Sequence, residues 1–246
     1  MKKKVLSVCL VVVIAVMAIA GASLAYLTDD DSARNVMTIG NLDIDQNEKQ
    51  ISDVTGEMED FQQNKTLVPA VVTGEVTKDN IITTDETTGE KVFNSAIKNV
   101  VDKFVSVTNN GNQSAFIRTI IAFEGTYETH ENYIGVNGTY DYVTDENGDV
   151  VEITLNGVTY CLAVCVYKEP VAANTTKETS LRQIYLASEA TNSVVAGFGV
   201  TYDILVISQA VQVAGFEELG AEYALNTAFG EITATTAAAW FAGIAG

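Results

Sequence analysis

Four Asn-Gly dipeptides punctuate the chain: Asn110-Gly111, Asn137-Gly138, Asn147-Gly148 and Asn156-Gly157. A two-residue hairpin turn puts its central residues at positive φ, which Asn and Gly tolerate and most residues do not. The flanking runs are β-branched and aromatic. Phe104 to Thr108 leads into the first dipeptide and Ala115 to Phe123 leads out, while Val150 to Leu155 and Val158 to Tyr167 bracket the last. Further strand candidates are residues 37–45, 67–76 and 200–207. Such runs, separated by short turns, predict a mainly β chain built as an antiparallel β-sandwich.

The length, 246 residues, suits one large β domain. Two stretches have a helical pattern, Ser188 to Ala196 and Ala221 to Phe229. Residues 46–66 and 77–97 are polar and rich in Thr, Glu and Asn, and are expected to form long loop insertions. The Ala/Thr/Gly tract 233–246 is expected to be a weakly ordered tail, or a short helix packed through Trp240. The expected core includes Val105, Val107, Phe116, Ile120, Ile204, Val206 and Ile207.

The first 25 residues read as a secretory signal peptide. Lys2, Lys3 and Lys4 precede a charge-free run from Val5 to Ala22, and Ser23-Leu24-Ala25 places small residues at the −3 and −1 positions. Cleavage is expected between Ala25 and Tyr26, leaving residues 26–246 as a single secreted domain. An uncleaved membrane anchor is the competing reading, since the apolar run reaches the ~18 residues that a spanning helix needs. Cleavage removes three lysines and no acid, leaving 11 basic against 32 acidic residues. That charge excludes a nucleic-acid binder, which needs clustered Lys and Arg, and disfavours docking on anionic lipid. Membrane contact is expected only through the signal peptide before its removal. Mutual repulsion of such acidic subunits also implies that any self-assembly is promoted by acid, salt or divalent cations.

Only Cys161 and Cys165 remain after cleavage. On one strand they would share a face about 13 Å apart, from ~3.3 Å of rise per residue. A disulfide needs α-carbons within about 7 Å, so they are expected to be two small buried side chains.

No catalytic set emerges from the residues. The single histidine, in Thr129-His130-Glu131-Asn132, excludes the two-imidazole zincin motif and is expected to be a solvated loop side chain. A Ser-His-Asp triad lacks its G-x-S-x-G elbow, and Ser95-Ala96-Ile97-Lys98 matches S-x-x-K without the partner motifs. Asp145-Glu146-Asn147-Gly148-Asp149, with Asp141 nearby, clusters oxygen atoms. It lacks the glycine and glutamate of a calcium loop, so it reads as an acidic hairpin turn. No catalytic, metal-binding or cofactor-binding residue and no cofactor is therefore expected.

Three blocks resemble the TasA/camelysin family of secreted biofilm-matrix fibre subunits of Gram-positive bacteria. The first is the signal peptide running into Leu24-Ala25-Tyr26-Leu27-Thr28-Asp29, then Asn35 to Ile44. The second is Lys103 to Gly111, followed by Ser114 to Arg118. The third is Tyr202 to Gln212, then Gly215-Phe216 and Ala228-Phe229-Gly230. The resemblance implies a jelly-roll-like β-sandwich with a few short helices, exported with the help of a dedicated signal peptidase. It also implies polymerisation, in which an N-terminal strand of one subunit inserts into the sheet of the next. On this chain that donor strand would be about residues 26–38. Camelysin-like members are also described as metalloproteases, which the single histidine argues against. The expectation is a non-enzymatic secreted subunit of matrix fibres, partnered by copies of itself and by other matrix proteins. A monomeric surface adhesin using residues 46–66, 77–97 and 125–150 is the alternative. A secreted metallopeptidase comes third.

Overall fold

The computed structural model describes residues 28–31, 42–63, 65–198 and 202–244. The first strands are β1 (Thr28–Asp31), β2 (Ile44–Ile51), β3 (Met58–Asp60), β4 (Val71–Val72), β5 (Ile82–Thr84), β6 (Lys91–Phe93), β7 (Ile97–Lys98), β8 (Val101–Asn109) and β9 (Ala115–Glu124). Helix α1 (Tyr127–Tyr133) follows, then β10 (Ile134–Gly138), β11 (Asp141–Tyr142), β12 (Glu152–Leu155), β13 (Val158–Val171), β14 (Thr175–Thr176) and β15 (Leu181–Leu186). The remaining elements are α2 (Asn192–Gly197), β16 (Ile204–Gln212), α3 (Gly220–Phe229) and α4 (Ala234–Phe241). The signal peptide 1–25 and the Ala25/Tyr26 cleavage site lie outside the described residues. So does most of the candidate donor strand 26–38.

The sandwich expected from the sequence is present. One sheet has the order β1-β16-β9-β13-β11, with β12 also on β13. The other has the order β10-β15-β8-β2-β3, with β14 also on β8. Every pairing in both is antiparallel. Between them, Val105 and Leu181 of the second sheet pack with Ile121, Phe123, Ala163 and Val206 of the first.

Strand β9 explains how the first sheet is held. All ten of its residues are buried. Alternate residues point to opposite faces, so Ala115, Ile117, Ile121 and Phe123 enter the clusters between the sheets. Phe116, Ile120 and Ala122 enter clusters on the outer face. A strand covered on both faces reads as a continuous apolar run, as Ala-Phe-Ile-Arg-Thr-Ile-Ile-Ala-Phe does here. Helices α3 and α4 provide the outer cover. Ala221, Ala224 and Leu225 lie on Phe116 and Val211, and Ala237 and Phe241 lie on Ile120, Leu162 and Ile207.

Arg118 leaves β9 between these helices and ties them down. Its Nε donates to Gln209 Oε1 (2.8 Å), Nη1 to Asn226 Oδ1 (2.8 Å) and Nη2 to the Gly230 carbonyl (3.0 Å). Its guanidinium also lies 5.4 Å from the Trp240 ring centroid. The Gly230 contact caps the C-terminus of α3, where a cation opposes the negative end of the helix dipole and glycine supplies the positive φ of 91°.

Of the two readings of the C-terminal tract, the short helix is the one formed, over Ala234–Phe241. Thr233 starts α4 with a capping box, its Oγ1 accepting from the Thr236 N–H (3.2 Å). Phe241 is fully buried, while Trp240 serves as the lid over Arg118.

The two polar insertions also carry structure. Residues 46–66 include most of β2 and its hairpin partner β3. Within 77–97, β5 and β6 form a second hairpin. Phe93, Ala70 and Ile97 make a small cluster against Tyr185 on the outer face of the second sheet. Of the expected strand 67–76, Val71–Val72 pairs with β7, and Pro69 makes an isolated parallel bridge with Leu186.

The Asn-Gly turns divide evenly. Asn156-Gly157 joins β12 to β13 with φ of +50° and +85°, and Asp145 to Gly148 closes a turn between the paired Thr144 and Val150. Asn110-Gly111 instead lies where the chain crosses from β8 in one sheet to β9 in the other. Asn137-Gly138 is a bulge inside β10, where a Cβ on Gly138 would meet the Ser180 carbonyl oxygen at 2.5 Å. Neither of these two dipeptides takes positive φ.

Candidate functional site: the edge strand β16 and its cleft

Strand β16 is a run of β-branched residues paired with β9 along its whole length, from Ile204 opposite Phe123 to Gln212 opposite Ala115. Among the described residues its other edge is paired over half its length. β1 pairs with Ser208 to Val211 only, Thr28 opposite Val211 and Asp31 opposite Ser208. Among the described residues no strand lies along Ile204 to Ile207 on that side.

Polar side chains reach this edge from the second sheet. Gln46 of β2 accepts from Ser208 Oγ (2.9 Å) and donates to the Val206 carbonyl (3.4 Å). Thr119 Oγ1 lies 3.1 Å from Ser208 Oγ, completing a buried chain from β9 through β16 to β2. Beside Ile204 to Val206 of β16 a cleft of about 580 Å³ opens, lined also by Glu48, Phe61, Lys103, Tyr160 and Asp203 among others. Lys103 is ion-paired with Glu48 and sits 4.2 Å over the Phe61 ring, so its charge is satisfied within the wall.

The upper end of the cleft is held by Glu124, the last residue of β9. Its Oε2 accepts the Asp203 N–H (2.6 Å). Burial, and secondarily the Asp203 charge, pushes the Glu124 carboxyl up to about 7, against the pull of that hydrogen bond. Tyr202, one residue before Asp203, leads to the histidine.

His130 is placed differently from its expected solvated loop. It lies in the last turn of α1, 1% exposed, on the Phe123 ring at 4.6 Å between centroids. Nδ1 is 3.1 Å from Tyr202 Oη, and Nε2 is buried without a hydrogen-bond partner. Burial alone pushes the imidazole down to about 4. The polar sequence Tyr-Glu-Thr-His-Glu-Asn-Tyr hides this because His130 is the one fully buried residue of a seven-residue helix. The spacing of Tyr127, His130 and Ile134 is the signal that could have disclosed it.

Asp145 forms the turn read from the sequence. Its Oδ1 accepts from the Asn147 N–H (2.8 Å) and the Asp149 N–H (3.0 Å), which holds its carboxyl below its ordinary range. Cys161 and Cys165 are free and buried in β13, their thiols pushed up by burial to about 12 and about 11. Among the described residues, no three His, Cys, Asp or Glu side chains are grouped as metal ligands. Among them also, no helix is long and apolar enough to cross a membrane.

Ile44 pairs with Asn109 at the end of β8, Phe116 of β9 pairs with Val211 of β16, and Phe229 with Gly230 ends the helix above them. No family model, curated protein or solved structure matches the chain.

Proposed function

We propose that this chain is a secreted structural subunit that polymerises into extracellular matrix fibres by exchange of its N-terminal strand. The observation that carries the reading is the position of β1. It is the outermost strand of its sheet, touches β16 along four residues, and begins the segment that export processing would free. Its departure would break one four-residue edge ladder. An edge strand so exposed presents N–H and C=O groups that another copy's β1 can satisfy in the same register. The jelly-roll part of the reading rests on the crossings, since β8, β9, β10, β13, β15 and β16 alternate between the sheets. The signal peptide, a dedicated signal peptidase, the extracellular location and the absence of enzymatic activity belong to the same proposal.

Electron microscopy of the chain beginning at Tyr26, beside one beginning at Ile39, tests it at pH 4 to 8 and at low and high salt. Filaments from the longer chain alone, favoured by acid or salt as its acidic excess requires, are the expected result. Filaments from both chains would overturn strand exchange.

The cleft favours a second reading, a monomeric surface-binding module. Its volume of about 580 Å³ is within the range that small ligands occupy. A chain that stays monodisperse in every condition and binds a ligand saturably would move the assignment there.

A further inference from the structure

We propose that His130 is an acid-operated latch, whose protonation detaches α1 and Tyr202 from the end of the sandwich and loosens the start of β16 beside the cleft. The geometry is that of a group held neutral. One imidazole nitrogen is engaged by Tyr202 Oη at 3.1 Å, the other is buried with no partner, and the ring lies on Phe123. A proton added there creates a buried cation with one unmatched N–H.

The groups facing the imidazole offer no counter-charge. From the segment before β16 comes the Tyr202 phenol, and from β11 the Tyr142 ring, 5.9 Å away and nearly perpendicular. Tyr140 packs on Phe123 at 5.6 Å, and Cys161 of β13 belongs to the same cluster as Phe123. Burial pushes all three phenols and the thiol upward, so they remain neutral in acid. The carboxylates around this cluster are otherwise engaged. Glu131 of α1 accepts from Tyr127 Oη (3.0 Å) and Glu152 of β12 from the Tyr127 N–H (2.7 Å). Glu124 of β9 accepts from the Asp203 N–H, and Glu128 on α1 is exposed.

The structure around His130 is also the kind that opens locally. α1 has seven residues, one of them buried, with a Thr126 side-chain cap at its start. Tyr202 lines the cleft and sits two residues ahead of Ile204, so releasing it frees the beginning of the edge strand. In the open form the imidazole regains its ordinary value near 6.5. The closed form is therefore favoured fully above that pH and loses its advantage as pH falls toward about 4. The opening equilibrium should rise about tenfold per pH unit across that window. This device does not depend on whether the chain polymerises.

His130 is the only histidine, so its Cε1–H nuclear magnetic resonance signal is unambiguous. The test combines its titration with hydrogen exchange of residues 127–134 and 202–206 at pH 7.5, 6.0 and 4.5, corrected for intrinsic rates. The wild-type chain is expected to keep a neutral imidazole well below pH 6 and to lose about 100-fold in protection of both segments by pH 4.5. His130→Phe, which preserves the ring stack, should hold its protection across the range. An imidazole titrating near 6.5 in the folded chain would overturn the latch. So would equal loss of protection in His130→Phe, or undiminished wild-type protection at pH 4.5. The wild-type titration decides the matter even where the variant folds poorly.

Discussion

The two outer faces of the sandwich are covered by different means. Over the first sheet, α3 and α4 lay alanines, Leu225 and Phe241 directly on an apolar surface, with the buried cation Arg118 between them. Over the second sheet, residues 65–100 meet the strands through three buried apolar side chains and a set of polar contacts. Phe93 N–H donates to Gln183 Oε1 (2.9 Å) and Asn137 Nδ2 to the Lys91 carbonyl (2.6 Å), while Gln183 is itself fixed within the sheet by donating to Asp102 Oδ1 (2.7 Å). Apolar burial stabilises by roughly 25 cal/mol per Å², whereas a hydrogen bond formed on folding nets about 1 kcal/mol because water is given up. The helical cover is thus part of the cooperative core. The polar cover is a layer that can detach first.

Substitution at Arg118 should have the largest effect. Arg118→Met keeps the length but strips three hydrogen bonds, leaving the Gly230 carbonyl, Asn226 and Gln209 unanswered. A loss of about 3 kcal/mol is expected in denaturant unfolding, as a single cooperative transition. Two separate transitions would show that the helices are not part of the core. Phe93→Ala should shift the global unfolding transition less, because its loss falls on a cover that opens locally. Hydrogen exchange should rise across residues 65–100 while β9 and β13 remain protected. A global loss of protection would erase the contrast between the faces.

Glu124→Gln is the smallest change and its sign depends on pH. The folded carboxyl titrates at about 7, above its ordinary 4.5, so the folded chain gains from a protonated Glu124 in acid and forfeits that gain as pH rises through 7. The introduced amide would keep an acceptor for the Asp203 N–H without the charge. It should stabilise the chain by about 1–2 kcal/mol at pH 8 and leave it unchanged at pH 4. Equal unfolding midpoints for both proteins at pH 8 would place Glu124 in water.

The same contrast governs what the sequence disclosed. Six of the seven expected core residues are buried, and Ile204 is half-buried at the start of β16. Those strands are apolar on one or both faces, and their pattern is written in the residues themselves. Helix α3 was legible for the same reason. The polar cover was not, because Phe93 and Ile97 are isolated apolar residues whose partners, Tyr185 and Gln183, come from β15, far along the chain. His130 was missed in the same way. Its burial is made by Phe123 of β9 and Tyr142 of β11 on either side of the helix and closed by Tyr202 from far along the chain. The Asn-Gly rule failed at Asn110 and Asn137 because a tight turn is one use of that dipeptide. A sheet crossing and a bulge are others.

The central claim, that β1 leaves its own β16 to join another, can be locked and read directly. Thr28 and Val211 are register partners, and facing residues on antiparallel strands lie close enough for a disulfide. The buried thiols of Cys161 and Cys165, with their raised pKa values, should not compete. A chain carrying Thr28→Cys and Val211→Cys, oxidised as a monomer, should cross-link within itself and form no filaments until reduced. Oxidised after assembly, it should give a ladder of covalent multimers on a non-reducing gel. Filaments growing equally well from the locked monomer, or assembled fibres yielding cross-linked monomer alone, would contradict the account.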